Sequence, residues 1–456
     1  MKQPLLLITF CCFSLLANAA PRISNVKGST ENNATLVING QGFGSHASIN
    51  NVWFLGGKNG WIENSAVGTD PVTAPGTIRI YGSQGKLDRV TDKDKWSGSK
   101  SINLEVNPSN PSSNGAWAST WAYHYQPGFR KIFVSFWYKF QMVRFPSPGK
   151  SDPQHKFIGI TRSGYDQCPQ GADPLRSTNL WYWGYNINES MNFTHTPHIE
   201  NFAWVGCPVP AGLDGPFTWY AFDYVFYNVR GIGYSYPPHG AAGMKSLAPY
   251  RETMRGAIDT TGLAARYNFD FGRWNRIDVT YDLGTRGNFD GRLKIRVLKP
   301  DGPYAGQQTG IDAEKILFYS DKPSATLPGG CSRCKPDLRD AFVWYNLFDR
   351  TSGGGGDQIV NNFIDDPYAQ VETEARVEIG NNPDYEKATK LELQKPLSWS
   401  DTAVSVTLNY GGSFKGGDSA YLYVIDANGT ASPGIPLTLG HADTLPPAAP
   451  GNLRKS

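Results

Sequence analysis

Long helical periodicity is missing from this 456-residue chain, and so is an apolar run of the ~20 residues that a membrane-spanning helix needs. A helical bundle is thereby not expected, and a single-span anchor is the competing reading for the first residues that this shortness argues against. Charge of one sign is missing too: 43 basic residues face 40 acidic ones, scattered along the chain for a net charge of +3. No basic stripe forms, so nucleic acid is not an expected partner. Cysteine is scarce, with six residues, and Cys11 and Cys12 fall in the first 19 positions. The glycine run Ser352-Gly353-Gly354-Gly355-Gly356-Asp357 lacks the Lys-Ser/Thr that would make it a phosphate cradle, and reads as a loop.

Residues 1–19 carry Lys2, an apolar stretch from Leu5 to Leu16 and a small-residue end at Ala17-Asn18-Ala19, the three parts of a cleavable secretory signal. Bulky Phe10 before Cys11 argues against a lipid anchor. The expectation is a secreted or cell-surface protein starting at Ala20. In an oxidising compartment the four remaining cysteines, Cys168, Cys207, Cys331 and Cys334, favour two disulfides. Three pairings are open, and proximity favours Cys168 with Cys207 and Cys331 with Cys334. A four-thiolate zinc site is the alternative, but it expects two close pairs.

What is present in quantity is glycine (50), proline (32) and aromatic residues (13%), the composition of an all-β chain with many turns. Residues 34–57 read as an alternating strand, Ala34-Thr35-Leu36-Val37-Ile38, a glycine-rich turn through Gly40, Gly42 and Gly44, and a second strand at Val52-Trp53-Phe54-Leu55. This phrase resembles the opening of an IPT/TIG domain, a small immunoglobulin-like sandwich. The phrases that would close such a domain stand far away, at Ala375–Gly380, Ser398–Leu408 and Ala420–Gly429. The resemblance implies a sandwich split between residues 20–60 and 376–440, with residues 61–375 inserted into it. Residues 441–456, which run through Leu445-Pro446-Pro447, resemble a linker into a fibronectin type III domain and are expected to be disordered.

Within the insert, Lys131–Gln141 alternates Ile132, Val134, Phe136, Tyr138 and Phe140 against Phe133, Ser135, Trp137, Lys139 and Gln141. Both faces are partly apolar, as in a sandwich strand whose outer face is covered or binds something. With Arg273–Leu283, Gly291–Leu298 and the phrase Ile364-Asp365-Asp366, this strand is similar to concanavalin-like jelly rolls, a superfamily of lectins, glucanases and polysaccharide lyases. The resemblance implies an all-β fold in which a large jelly roll is inserted in a small immunoglobulin-like sandwich. The stretch 163–270 is too long for a hairpin connection and is dense in aromatics.

Sugar rings stack their C–H faces on aromatic side chains. Trp181, Tyr182, Trp183, Tyr185, Trp219 and Tyr220, with Lys139 and Gln141, are therefore the candidate substrate-binding residues, and the leading expectation is a glycan-recognition or surface-adhesion protein. A lyase acting on an acidic glycan needs a base and a group that neutralises the uronate carboxylate. His155 or Tyr138 could be that base, and Lys156 or Arg162 the neutraliser. The Gln-Ile-His and Arg-Ser/Thr-Glu-Leu-Arg strands of familiar jelly-roll lyases are absent. A structural matrix or filament component, meeting partner proteins at the cell surface, is the third reading. No cofactor is required; Asp365 and Asp366 are the one pair offered for a structural calcium ion. Glu372 and Glu374 have the spacing of a glucanase pair, but sit at the proposed junction and are expected to be solvated. Asp426–Gly429 is expected to be a hairpin turn.

Overall fold

The computed structural model describes residues 20–79 except 48, 88–106, 121–144, 154–162, 176–184, 197–204, 272–282, 291–301, 308–316, 342–352 and 359–440. The four cysteines of the insert, Tyr185, Trp219, Tyr220, the leader and the tail lie outside the described residues. So the expectations placed on them are left where they were.

Strands dominate the described chain and fall into three sheets. The first has seven strands in the order β1 (Arg22–Gly28), β2 (Thr35–Gln41), β19 (Ala403–Thr407), β18 (Leu391–Trp399), β17 (Arg376–Gly380), β20 (Ser419–Ile425) and β21 (Ile435–Thr438). Strands from the two ends of the chain are direct neighbours: Leu36 lies opposite Val406 and Ile38 opposite Val404. The sheet turns over at β18, whose residues 391–394 pair with β17 while residues 395–399 pair with β19, across a bulge near Pro396. Alternation then sends one side chain in two inward. Val26, Leu36, Ile38, Val377, Ile379, Val404, Val406, Leu422 and Val424 share one dry core. The glycine-rich turn is held by the distant Trp399-Ser400-Asp401-Thr402 phrase. Gly44 N donates to Asp401 Oδ1 (2.9 Å), Gly40 N to Thr402 O (2.9 Å), and the Trp399 indole to Phe43 O (3.3 Å).

The second sheet has eight strands: β14 (Gln308–Ile316), β13 (Gly291–Leu298), β12 (Asn275–Asp282), β8 (Lys131–Arg144), β16 (Ile359–Val371), β6 (Ser101–Val106) and β5 (Asp88–Thr91) in that order, with β3 (Trp53–Phe54) also paired to β16. The third has six: β11 (Pro197–Trp204), β10 (Arg176–Gly184), β9 (Gln154–Arg162), β15 (Phe342–Ser352), β7 (Trp121–Phe129) and β4 (Thr77–Arg79). The described chain is thus all-β. Among the described residues one short α-helix, α1 (Trp61–Asn64), follows β3.

Every residue of β8 from Ile132 to Trp137, and Tyr138 after them, is buried. Its even positions stand beside Ile277, Val279 and Ile364 across the sheet. The odd positions meet the seven-stranded sheet: Phe133 packs with Leu393 and carries the Arg376 guanidinium 4.2 Å above its ring. The outer face of this strand is therefore covered.

That seam is ionic. Asp278 accepts from Arg276 Nε (2.9 Å) and Arg296 (3.1 and 3.2 Å); Glu378 Oε1 accepts from Arg376 Nε (2.7 Å) and the Tyr385 hydroxyl (2.9 Å). Tyr385 in turn accepts from Arg296 (2.8 Å) and Arg376 (2.9 Å). Arg276 Nη1 stands 2.9 Å from Glu378 Oε2 as an ion pair without hydrogen-bond alignment. Burial would raise the Glu378 carboxyl, but Arg276, Arg376 and Arg296 outweigh it and hold the group well below the usual carboxylate range.

One expectation changes here. Glu374 is buried rather than solvated: it accepts from Thr280 Oγ1 (3.1 Å) and lies 3.8 Å from Lys131, because the junction is packed instead of open. Glu372 is exposed, at positive φ, and accepts from Arg130 N (2.8 Å). In the Asp426 turn only Gly429 has positive φ, and Asp426 Oδ1 accepts from Asn428 N (2.8 Å) and Thr430 N (2.9 Å).

Candidate functional site

Covering of the eight-stranded sheet settles where several candidates stand. Tyr138 is fully buried and donates to Asn362 Oδ1 (2.7 Å), a partnered core phenol. His155, the alternative base, stands on β9, in a different sheet from β8 and Tyr138. Lys139 pairs with Asp94 (2.7 Å), which also accepts from the Trp274 indole (3.0 Å). Gln141 is exposed and accepts from Asn361 Nδ2 (3.4 Å).

Asp365 and Asp366 serve backbone amides. Asp365 Oδ2 accepts from Trp96 N (2.9 Å) and Ser97 N (3.0 Å), and Asp366 Oδ1 from Gly57 N (2.8 Å). Asp366 takes φ +45° at a bulge of β16. Burial pushes its carboxyl up to about 6, and that of Asp365 well above the ordinary range. Glu392 completes this buried group: it accepts from the stacked indoles of Trp96 (2.9 Å) and Trp137 (3.2 Å) and from Ser413 N (3.0 Å). Burial, then the charge of Asp366, push it up to about 7. Among the described residues, no cluster of three or more His, Cys, Asp or Glu is arranged to hold a metal ion.

The remaining candidates meet on the six-stranded sheet. Positions two apart on a strand share a face, and residues directly paired across strands share it as well. His155 on β9 is paired with Trp183 on β10 and Thr351 on β15. Further along the same face of β9, Gly159 pairs with Asn346 and Thr161 with Trp344, and Trp344 pairs onward with His124 on β7. Trp181 lies two positions from Trp183. One face thus carries the positions of His124, His155, Trp181, Trp183, Trp344 and Asn346. The opposite face carries a row of Tyr182, Lys156 and Arg350, a bulge in β15 between Leu347 and Arg350 setting the last of these in register. Arg162, six positions from Lys156, is on this second face, with Ile158 and Ile160 between them.

Sequence reading offered His155 and Lys156 for catalysis and Trp181, Tyr182 and Trp183 for sugar binding, and missed His124, Trp344, Asn346 and Arg350. Alternation within Trp121–Tyr125 and Phe342–Asn346 was the available signal. Strand order was not, because β15 enters between β9 and β7 from nearly two hundred residues away.

These sheets define an all-β protein of three sheets, with seven, eight and six strands. No family model matches the chain, and no curated protein matches it in sequence. Among solved structures, it is similar to the PL-14 alginate lyase from Aplysia kurodai at 11% identity and a TM-score of 0.34, over 64% of this chain and 90% of that one. It is similar to alginate lyase Aly36B at 11% identity and a TM-score of 0.36, over 70% and 96%, and to lectin II from Ulex europaeus at 8% and 0.28, over 65% and 93%.

Proposed function

We propose that this chain is an extracellular polysaccharide-recognition protein that binds glycan along one face of its six-stranded sheet. The observation that carries this is the register that sets two histidines, three tryptophans and an asparagine on one face of four adjacent strands. Indoles give stacking plates for sugar rings, while imidazole and amide groups exchange hydrogen bonds with hydroxyls. Secretion through residues 1–19 and the division into a split IPT/TIG-like sandwich with the jelly roll inserted belong to the same reading. In it the sandwich is a carrier.

The second reading, a lyase cleaving an acidic glycan by β-elimination, is favoured by the row Tyr182, Lys156 and Arg350. A phenol beside two cations has the makings of a base and carboxylate neutralisers. Tyr182 then replaces Tyr138 as the candidate base. The two readings use opposite faces of one sheet, which makes them separable. Binding to a polysaccharide array and release of unsaturated product from uronate polymers are measured for the full chain, for a His155→Ala/Trp183→Ala variant and for a Tyr182→Phe/Lys156→Ala variant. Binding lost only in the first variant, with no product formed by any, is expected. Unsaturated product that disappears only in the second variant would replace recognition by catalysis.

A further inference from the structure

A cleft of about 720 Å³ lies where the loop after β3 meets the seven-stranded sheet, with Pro75 and Gly76, just before β4, also on its lining. Among the residues that line it are Asn33, Asn59, Asn64 and Asn409, two further asparagines at positions 50 and 51, and the half-buried indole of Trp61. Among the described residues that line it there is no aspartate or glutamate, and the one charged residue is Lys395. Its volume is that of a small-molecule or short-oligomer site.

Its wall is fixed before any ligand arrives. Gly57 N is held by Asp366, Leu55 N by Pro367 O (3.2 Å), and Asn64 Nδ2 by Gly60 O (3.0 Å). Gly56 packs so closely that a Cβ there would stand 1.9 Å from Asp366 Oδ1 and 2.5 Å from its Cα. On the opposite wall Asn409 is oriented by Gly411 N, which donates to its Oδ1 (3.1 Å), while its backbone N is bound by Gln394 Oε1 (2.7 Å). A rigid wall lowers the ordering cost of binding.

The chemistry narrows the ligand. A carboxamide offers two donors and an acceptor on one group, which matches the donor-and-acceptor character of a hydroxyl. A metal ion would need carboxylates, and a polyanion would need a cluster of cations. The lining offers neither. From this geometry we infer that the cleft is a second carbohydrate site, specific for a neutral, hydroxyl-rich oligosaccharide that stacks on Trp61 and is bonded by the asparagine amides. The site stands independently of the six-stranded sheet's role.

Calorimetric titration of the full chain with neutral cello-, manno- and laminarihexaose, and with an oligouronate, tests it. At least one neutral hexaose is expected to bind. Asn59→Ala, an exposed change, weakens it, and Asn59→Ala/Trp61→Ala weakens it by about tenfold or more with an unchanged thermal midpoint. Lys395→Ala and His155→Ala/Trp183→Ala leave it intact. Four outcomes overturn the inference: no neutral hexaose bound at millimolar concentration, wild-type affinity in both Asn59 variants, loss in Lys395→Ala, or loss only in the His155→Ala/Trp183→Ala variant. The last two would indicate an anionic ligand or move the sugar to the other sheet.

Discussion

Glu378 is a carboxylate with no exposure, surrounded by Arg276, Arg296 and Arg376. Three buried guanidinium groups are tolerated only while Glu378 and Asp278 neutralise them, with Tyr385 accepting from Arg296 and Arg376. Truncating one partner of such a group leaves charge without compensation, which typically costs about 3–5 kcal/mol. Glu378→Ala is therefore expected to lower the urea midpoint strongly, whereas Glu372→Ala, at an exposed turn, leaves it near wild type. Equal midpoints would show that the arginines find other compensation. The sequence displays Arg376-Val377-Glu378 and Arg276-Ile277-Asp278 as ordinary alternating strand residues. Nothing in either phrase says that they face each other, because the contact is made between sheets.

At the scale of elements, β16 shows how one local irregularity serves two places. Its bulge puts Asp366 in the left-handed region, unusual for a residue with a Cβ, and aims the carboxylate at Gly57 N. Gly56→Ala would push into Asp366 itself, so a loss of about 1–3 kcal/mol by overpacking is expected in chemical denaturation. The same variant should also weaken any ligand of the asparagine cleft. If stability and cleft binding both stay at wild type, the loop is not held as described. The acidic pair Asp365-Asp366 was visible in the sequence. The bond of Asp366 to Gly57 N across 309 residues was not, because it joins distant segments.

For the whole molecule, two groups of carboxylates pull the pH profile in opposite directions. Glu378 is depressed below its unfolded value, so its stabilisation is present above the ordinary carboxylate range and is lost as pH falls below it. Glu392 is raised, to about 7, so between about 4.5 and 7 the folded state keeps a proton that the unfolded chain has released. Stability then declines as pH rises through that window, and Asp366 and Asp365, also raised by burial, add to the decline. The expected maximum lies near pH 5, by about the width of these shifts, and Glu392→Gln flattens the decline above it. A wild-type profile that rises steadily from pH 5 to 8 would contradict the buried state of Glu392. The other expectation at this scale concerns the ends of the chain. Deleting residues 20–41 removes Val26, Leu36 and Ile38 from the core and bares the edge of β19. Loss of cooperative unfolding and aggregation are expected; a monomer with an unchanged melting curve would show the two ends to be independent.

By itself the sequence determined the class of structure, because period-two alternation, glycine and proline punctuation and missing helical periodicity are local properties that only strands satisfy. It also marked His155, Trp181 and Trp183 by residue type and by the alternation of their own strands. Tertiary structure alone decided which strands became neighbours, and with that which residues share a face. β15 inserted between β9 and β7, β2 closed on β19, and the outer face of β8 was buried by the seven-stranded sheet. Strand order depends on long-range packing of whole sheets, and the code for it is spread over residues hundreds of positions apart. That is why Tyr138 carried the look of a catalytic base and proved to be core, while an asparagine cleft between distant segments left no phrase to read.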